Sequence, residues 1–185
     1  MKNLNNTFFV DKNNNMTVDS AMKIIFSIEE DNKGVFNNIY KIIEWNMGEW
    51  IINKGVKHMR EDFYIYVESL PDFFKAYTVE NDKYLRVRVK HKMKVDSEGF
   101  KRIKSRFSLK NLKPGYKSIV NGFELIKIIN YMEIADVPNT KLLNVNINTN
   151  INLTIPSKNE IEGYLLDVFN VINENFKTKL TNAII

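Results

Sequence analysis

The sequence predicts an α+β protein in which a curved antiparallel sheet wraps a long C-terminal amphipathic helix, with one or two helices after the first strand. Three stretches carry that prediction. From Leu85 to Val95 apolar and basic residues alternate strictly, and the segment 102–110 repeats the pattern. Period-2 alternation is the mark of a strand with one dry and one wet face. Leu143 to Ile155 alternates again, with Val145, Ile147, Ile151, Leu153 and Ile155 opposite Asn144, Asn146, Asn148, Asn150 and Asn152. After Pro156 the period changes: Ile161, Tyr164, Leu165, Val168, Phe169, Ile172, Phe176 and Leu180 recur at three- and four-residue spacing. That stripe is one helical face, and Ser157 with Glu160 stands at capping-box spacing ahead of it.

Taken in order, residues 1–20 hold two apolar clusters, Phe8–Val10 and Met16–Val18, around an Asn-rich stretch, which predicts an N-terminal arm or small hairpin. Residues 21–185 are expected to form a single α+β domain. Met22–Glu30 predicts a strand from its β-branched and aromatic content. A helix capped by Asp31 or Asn32 is expected to follow through Val35–Ile43, stopping at Gly48, with a short second helix over Glu49–Met59. Asp62–Leu70 reads as a strand ended by Pro71, Phe73–Val79 as another, and the two basic segments as a hairpin. With Val95 and Lys101 flanking its loop, Met93 faces Ile103, Val89 faces Phe107, and Lys94, Lys92, Lys90 and Arg86 face Arg102, Lys104, Arg106 and Lys110. Pro114-Gly115 signals a turn. Phe123–Ile134 fits a buried strand better than a helix because of its β-branched content.

The 185 residues suffice for one domain with a substantial core. Cysteine is absent, which excludes a disulfide framework, thiolate metal sites and a cysteine nucleophile. Neither a secretory signal nor an apolar run of about 18 residues is visible, so the default expectation is a cytoplasmic location, with the compartment otherwise unknown. The abundance of Lys, Asn and Ile is what an A+T-rich genome would produce without selection for function. Composition does not explain where the lysines sit. Between Lys83 and Lys113 there are twelve Lys/Arg and two acids, Asp96 and Glu98, which leaves fifteen bases and twenty acids elsewhere. A weakly acidic body therefore carries one strongly basic hairpin, and such asymmetry favours an anionic partner.

Arg86, Arg88, Lys90, Lys92 and Lys94 form the first arm of that hairpin and Arg102, Lys104, Arg106 and Lys110 the second. Like charges facing across antiparallel strands cost about 0.2–1 kcal/mol per pair. The competing reading is a merely solvated face. Sequence-reading RNA binding would call for aromatic residues among the bases, and the basic parity has only Tyr84 and Phe100 at its margins. Contact with phosphates or lipid head groups needs charge alone.

Nothing in the sequence builds a catalytic or metal site. His58 and His91 are far apart without zinc-ligand spacing, and no nucleophile-elbow or phosphate-cradling glycine motif occurs. His91 falls on the apolar parity and reads as a core or pocket histidine. Glu29, Glu30 and Asp31 read as helix-capping acids, and Trp45 and Trp50 as core aromatics.

In its order of elements the chain resembles the START-like helix-grip superfamily over about residues 22–180. There MKIIFSIEE would be the first strand, Val35–Trp45 the first helix and Ser157–Leu180 the gripped helix. The likeness is one of layout, carried by no motif, and residues 1–20 lie outside it. A tubular lipid-binding (TULIP-like) fold shares the same ingredients. Either resemblance implies an apolar cavity between sheet and helix, lined here by Val87, Val89, His91, Phe107, Tyr164, Val168 and Phe169. The expected function is thus a non-enzymatic binding protein for a lipid or other hydrophobic small molecule, without cofactor, whose basic face meets an anionic membrane surface, nucleic acid or acidic protein. A nucleic-acid-binding module and an assembly subunit of a viral or secreted complex are the alternatives. The sequence leaves oligomeric state open.

Overall fold

A computed structural model describes residues 1–12, 16–25, 42–95, 101–110, 112–113, 126–154 and 158–183. Its strands are β1 (Lys2–Asp11), β2 (Ile42–Met47), β3 (Ile51–Asn53), β4 (Val56–Tyr66), β5 (Tyr84–Val95), β6 (Lys101–Leu109), β7 (Ile126–Asp136) and β8 (Leu142–Leu153). Its helices are α1 (Val18–Ile25), the single turn α2 (Asp72–Lys75) and α3 (Lys158–Asn182). All these strands join one curved antiparallel sheet in the order β1-β8-β7-β6-β5-β4-β2, with β3 sharing the outer side of β4. The expected class, a curved antiparallel sheet around a long C-terminal helix, is the one observed.

The basic hairpin has the predicted register: Met93 faces Ile103, Val89 faces Phe107, Lys92 faces Lys104 and Lys90 faces Arg106. The Arg86–Lys110 alignment holds beyond the end of β6, where the Lys110 N–H donates to the Arg86 carbonyl at 2.9 Å. β8 follows its predicted alternation. The strand expected within Phe123–Ile134 is β7, which leaves Lys127 and Tyr131 exposed instead of being buried on both faces, and α3 buries Ile161, Leu165, Val168, Phe169, Ile172 and Leu180. Burying such side chains is worth about 1.5–3 kcal/mol each, which is what holds a helix of this length on the sheet.

Several expectations fail, mostly in short segments whose form is set by distant partners, caps or turns. Residues 2–11 are not an arm or hairpin but an edge strand, paired with β8 from Lys2↔Ile151 to Asp11↔Leu142. Met22–Ile25 belongs to a helix rather than a strand. Thr17 and Ser20 cap each other there, the Thr17 N–H donating to Ser20 Oγ and the Ser20 N–H to Thr17 Oγ1, and Val18, Ala21, Met22 and Ile25 form its buried face. Ile42 and Ile43 lie in β2, not in a helix; the rest of the expected helix falls outside the described residues, as does the Pro114-Gly115 turn. Glu49–Met59 is not a helix. Lys54 at φ 50° and Gly55 at φ 74° form a two-residue loop of the primed type, which turns β3 directly into β4. Lastly, Phe73–Val79 is no strand: the Phe74 and Lys75 amides both donate to the Pro71 carbonyl, winding one helical turn that drops Phe74 into the core.

Gly48 is placed by a close approach. Its N–H donates to the Arg60 carbonyl at 2.8 Å, and a Cβ there would sit 2.9 Å from that oxygen. It is therefore a bend between β2 and β3, not a helix stop.

The core falls into two apolar clusters. One gathers Val87, Val89, Ile128 and Ile151 with the first half of α3; the other gathers Met93, Ile103, Met132 and Ile147 with α1 and Leu180. On each of the strands β5 to β8 one residue separates the two sets, and that residue is polar.

Candidate functional site

The outer face of the sheet is mostly polar, with Ile129 and Phe9 among its apolar members. Register places Arg60, Lys90 and Arg106 in one cross-strand row, and His58, Lys92, Lys104 and Tyr131 in the next. Each pleat turns these residues away from the helix. The nine cations expected to meet a polyanion do not share one environment. Arg86 and Arg88 point at Asp62 of β4, their Nε atoms 3.3 and 2.9 Å from its Oδ1, and Arg60 reaches Oδ2 at 3.0 Å. Burial works to raise the Asp62 pKa, but hydrogen bonds from Arg88 and Arg86, reinforced by their charge, outweigh it and hold the carboxyl below its ordinary value. Arg102 pairs with Glu133 at 3.1 Å. Lys90, Lys92 and Lys94 are exposed and have no carboxylate at ion-pair distance among the described residues, while Lys104 lies over the Tyr131 ring, 5.5 Å from its centroid. Arg106 and Lys110 are exposed beside them. The ladder is thus part ion-pair network and part solvent-facing cation row.

The inner face carries a feature that periodicity alone does not announce. His91, Ser105, Asn130 and Thr149 are direct cross-strand neighbours on β5, β6, β7 and β8, and all four are buried. His91 Nδ1 is 2.7 Å from Ser105 Oγ, and His91 Nε2 is 3.3 Å from Oε1 of Glu61, itself buried. A carboxylate, an imidazole and a hydroxyl thus stand in that order, and which of His91 Nδ1 and Ser105 Oγ donates to the other depends on the imidazole tautomer. The order is also that of an acyl-transfer triad, yet β5 and β7 flank Ser105 and draw its backbone into their ladders, so no amide pair is left there for an oxyanion. Oδ1 of Asn130 and Oγ1 of Thr149 have no hydrogen-bond partner among the described residues. Neither polar atom of Asn173 has one, although that side chain on α3 is 1% exposed. Asn173 follows Ile172 of the first cluster and precedes Phe176, which touches both, so it stands at the level of the seam. Leaving such groups unpaired costs about 1–3 kcal/mol each.

Further along the same inner face lies an apolar cavity of about 60 Å³, walled by none of these polar residues. Val87, Phe107, Tyr164, Val168 and Phe169, all predicted to line one, do so, and Phe107 and Phe169 meet edge to face at 5.1 Å. Val89 is buried in the same cluster without lining the cavity, and His91 sits in the polar row instead. A cavity of that size accepts only a short segment of a lipid. A second, larger hollow of about 540 Å³ opens at the β3–β4–β5 edge, where Ile51, His58, Arg60, Lys90 and Lys92 form its sides and Met59 and His91 also contribute. No group of three or more metal-ligating side chains occurs among the described residues, and no described helix is long and apolar enough to cross a membrane.

No protein-family model matches the chain, and no curated protein matches it. Among solved structures it is similar to the crystal structure of TTHA0849 from Thermus thermophilus, at 9% identity and a TM-score of 0.43, covering 97% of each chain. A likeness at that level carries no argument about fold or activity.

Ser105, Asn130, Thr149 and Asn173 were absent from the sequence-based site, and Glu61 with them. The signal was present as gaps: the inward parity of 103–109 skips from Ile103 to Phe107, and that of 145–153 from Ile147 to Ile151. A polar residue in the middle of an otherwise apolar parity is the mark that finds them.

Proposed function

We propose that the chain binds a small, mainly apolar molecule carrying a hydrogen-bonding group, held between the inner sheet face and α3. One observation carries the reading: buried polar atoms without partners among the described residues sit on β7, β8 and α3. Asn130 is the next inward position to Ile128, and Asn173 the next residue to Ile172, and both isoleucines line the apolar cavity. Native interiors pair such atoms, so an unpaired set beside a void is best accounted for by a guest that pairs them. The guest is not an anion. Among the described residues the one ionic group aimed into the row is the Glu61 carboxylate, which repels an anion, and no lysine or arginine faces it.

The test is a titration of the ¹⁵N-labelled protein with isobutanol, a probe small enough for the cavity. Saturable shifts at Phe107, Ser105, Asn130 and Thr149 that vanish in Thr149→Val support the reading. Shifts that grow without saturating, or that map elsewhere, overturn it.

A further inference from the structure

The outer sheet face brings together residues that lie far apart in the sequence. Tyr131 on β7 is 39% exposed and stands in the same cross-strand row as Lys104 and Lys92. Toward the other end of the strands, Tyr84 and Tyr66 face each other across β4 and β5, both exposed, with Tyr64 one row inward. Tyr64 meets Tyr84 edge to face at 5.3 Å, and the Arg86 guanidinium lies 5.8 Å from the Tyr64 centroid. Between these aromatic ends run the rows of Lys92 with Lys104 and Lys90 with Arg106. On the flanking strand β8, Asn146, Asn148 and Asn150 present amides to the same side. Among the described residues the acidic positions on this face are Asp62, held by Arg60, Arg86 and Arg88; Glu133, held by Arg102; Glu44, across from Tyr64 on β2; and Asp11 at the end of β1; Glu49 edges the neighbouring hollow. None stands in the Lys90–Arg106 or Lys92–Lys104 row.

We propose that this face binds single-stranded nucleic acid, its phosphates on Lys90, Lys92, Lys104 and Arg106 and its bases on Tyr131 and Tyr84. Charge complementarity argues for a polyanion: two adjacent all-cationic rows raise the local potential, and phosphates relieve the cross-strand repulsion. The tyrosines choose among polyanions. Unpaired bases stack on exposed rings while their phosphates meet the neighbouring cations, and this face offers both within one span. A duplex hides its base faces and uses the lysines alone. From Tyr131 to Tyr84 the path covers about eight residues of strand and two strand spacings, roughly 25–30 Å, long enough for several extended nucleotides. The amides of β8 offer donors and acceptors to base edges along one side.

The experiment is fluorescence anisotropy of a labelled oligouridylate of about twelve nucleotides. The expected result is saturable binding whose log affinity falls linearly with log salt, at a slope of roughly −0.7 per phosphate contacted. Lys90→Glu with Lys92→Glu should abolish binding, while Lys158→Glu, on α3 and away from this face, should leave it intact. Tyr131→Ala should weaken it about ten-fold without altering the salt slope, because stacking releases no counterions. Thermal melts of each variant establish that it is folded. The proposal is overturned by failure to bind the oligomer at low salt, by equal affinity of Tyr131→Ala, or by phosphatidylserine vesicles binding where the oligomer does not. Isobutanol binding bears on none of these outcomes.

Discussion

Ser105 Oγ lies 2.7 Å from His91 Nδ1 across the β5–β6 pair, and both side chains are enclosed by protein. The contact sits at the one level of the sheet where the two apolar clusters fail to meet. Its loss exposes what a buried polar row costs when it is incomplete. Ser105→Ala should destabilise the protein by about 1–3 kcal/mol, since a buried imidazole nitrogen loses its partner. In a His91→Leu background the same change should cost much less. Urea midpoints of the four proteins read the coupling directly.

Thr149 offers the opposite case. Its Oγ1 is buried without a partner among the described residues, so Thr149→Val removes an unmet group while keeping the shape. The variant should be at least as stable as the parent, by up to about 1 kcal/mol. A loss above that, measured by calorimetry, would mean that the hydroxyl is paired in solution.

Asp62 gives the fold an acid limb. Its folded pKa is held below the unfolded value, so its contribution is fully present above the ordinary carboxylate range near pH 4 and is lost as pH falls through the folded pKa. Asp62→Asn should cost about 1–3 kcal/mol at pH 7, where it removes the shared negative charge from three guanidinium groups and turns one acceptor oxygen into a donor. At pH 2 the gap between variant and parent should narrow. Urea unfolding at the two pH values checks both statements.

Gly48→Ala should destabilise by about 1–3 kcal/mol, because the added methyl meets the Arg60 carbonyl oxygen at 2.9 Å, a backbone atom held by strand pairing. Gly55→Ala also destabilises, through its positive φ rather than through any clash, since nothing lies near its missing Cβ. Chemical denaturation of the two variants beside the parent measures both losses.

What the sequence made legible was what periodicity encodes. The hairpin register from Val95↔Lys101 onward followed from one loop position, because a slip by one residue would turn lysines into the core. The stripe of α3 and the alternation of β8 were equally plain. The N-terminal half was not, because its segments are short and take their form from partners far away. β1 has ten residues, and only its bond to β8 makes it a strand; β3 has three, and only the positive φ angles of Lys54 and Gly55 aim it at β4. The candidate site divided along the same line. The cations were visible as a pattern, but Asp62 and Tyr131 joined them only through cross-strand pairing, and the inner polar row exists only once four strands are aligned.

The pairing of Lys2 with Ile151 carries a consequence for synthesis. The earlier segment finds its seat only after its far-downstream mate has left the ribosome. Until then the backbone groups that β1 will offer to β8 stay open, and the outward Phe9, still 57% exposed in the finished fold, travels with them. A nascent chain of this topology therefore waits, uncompleted, while every intervening strand is translated, and the interval is one in which holdase chaperones have a binding target.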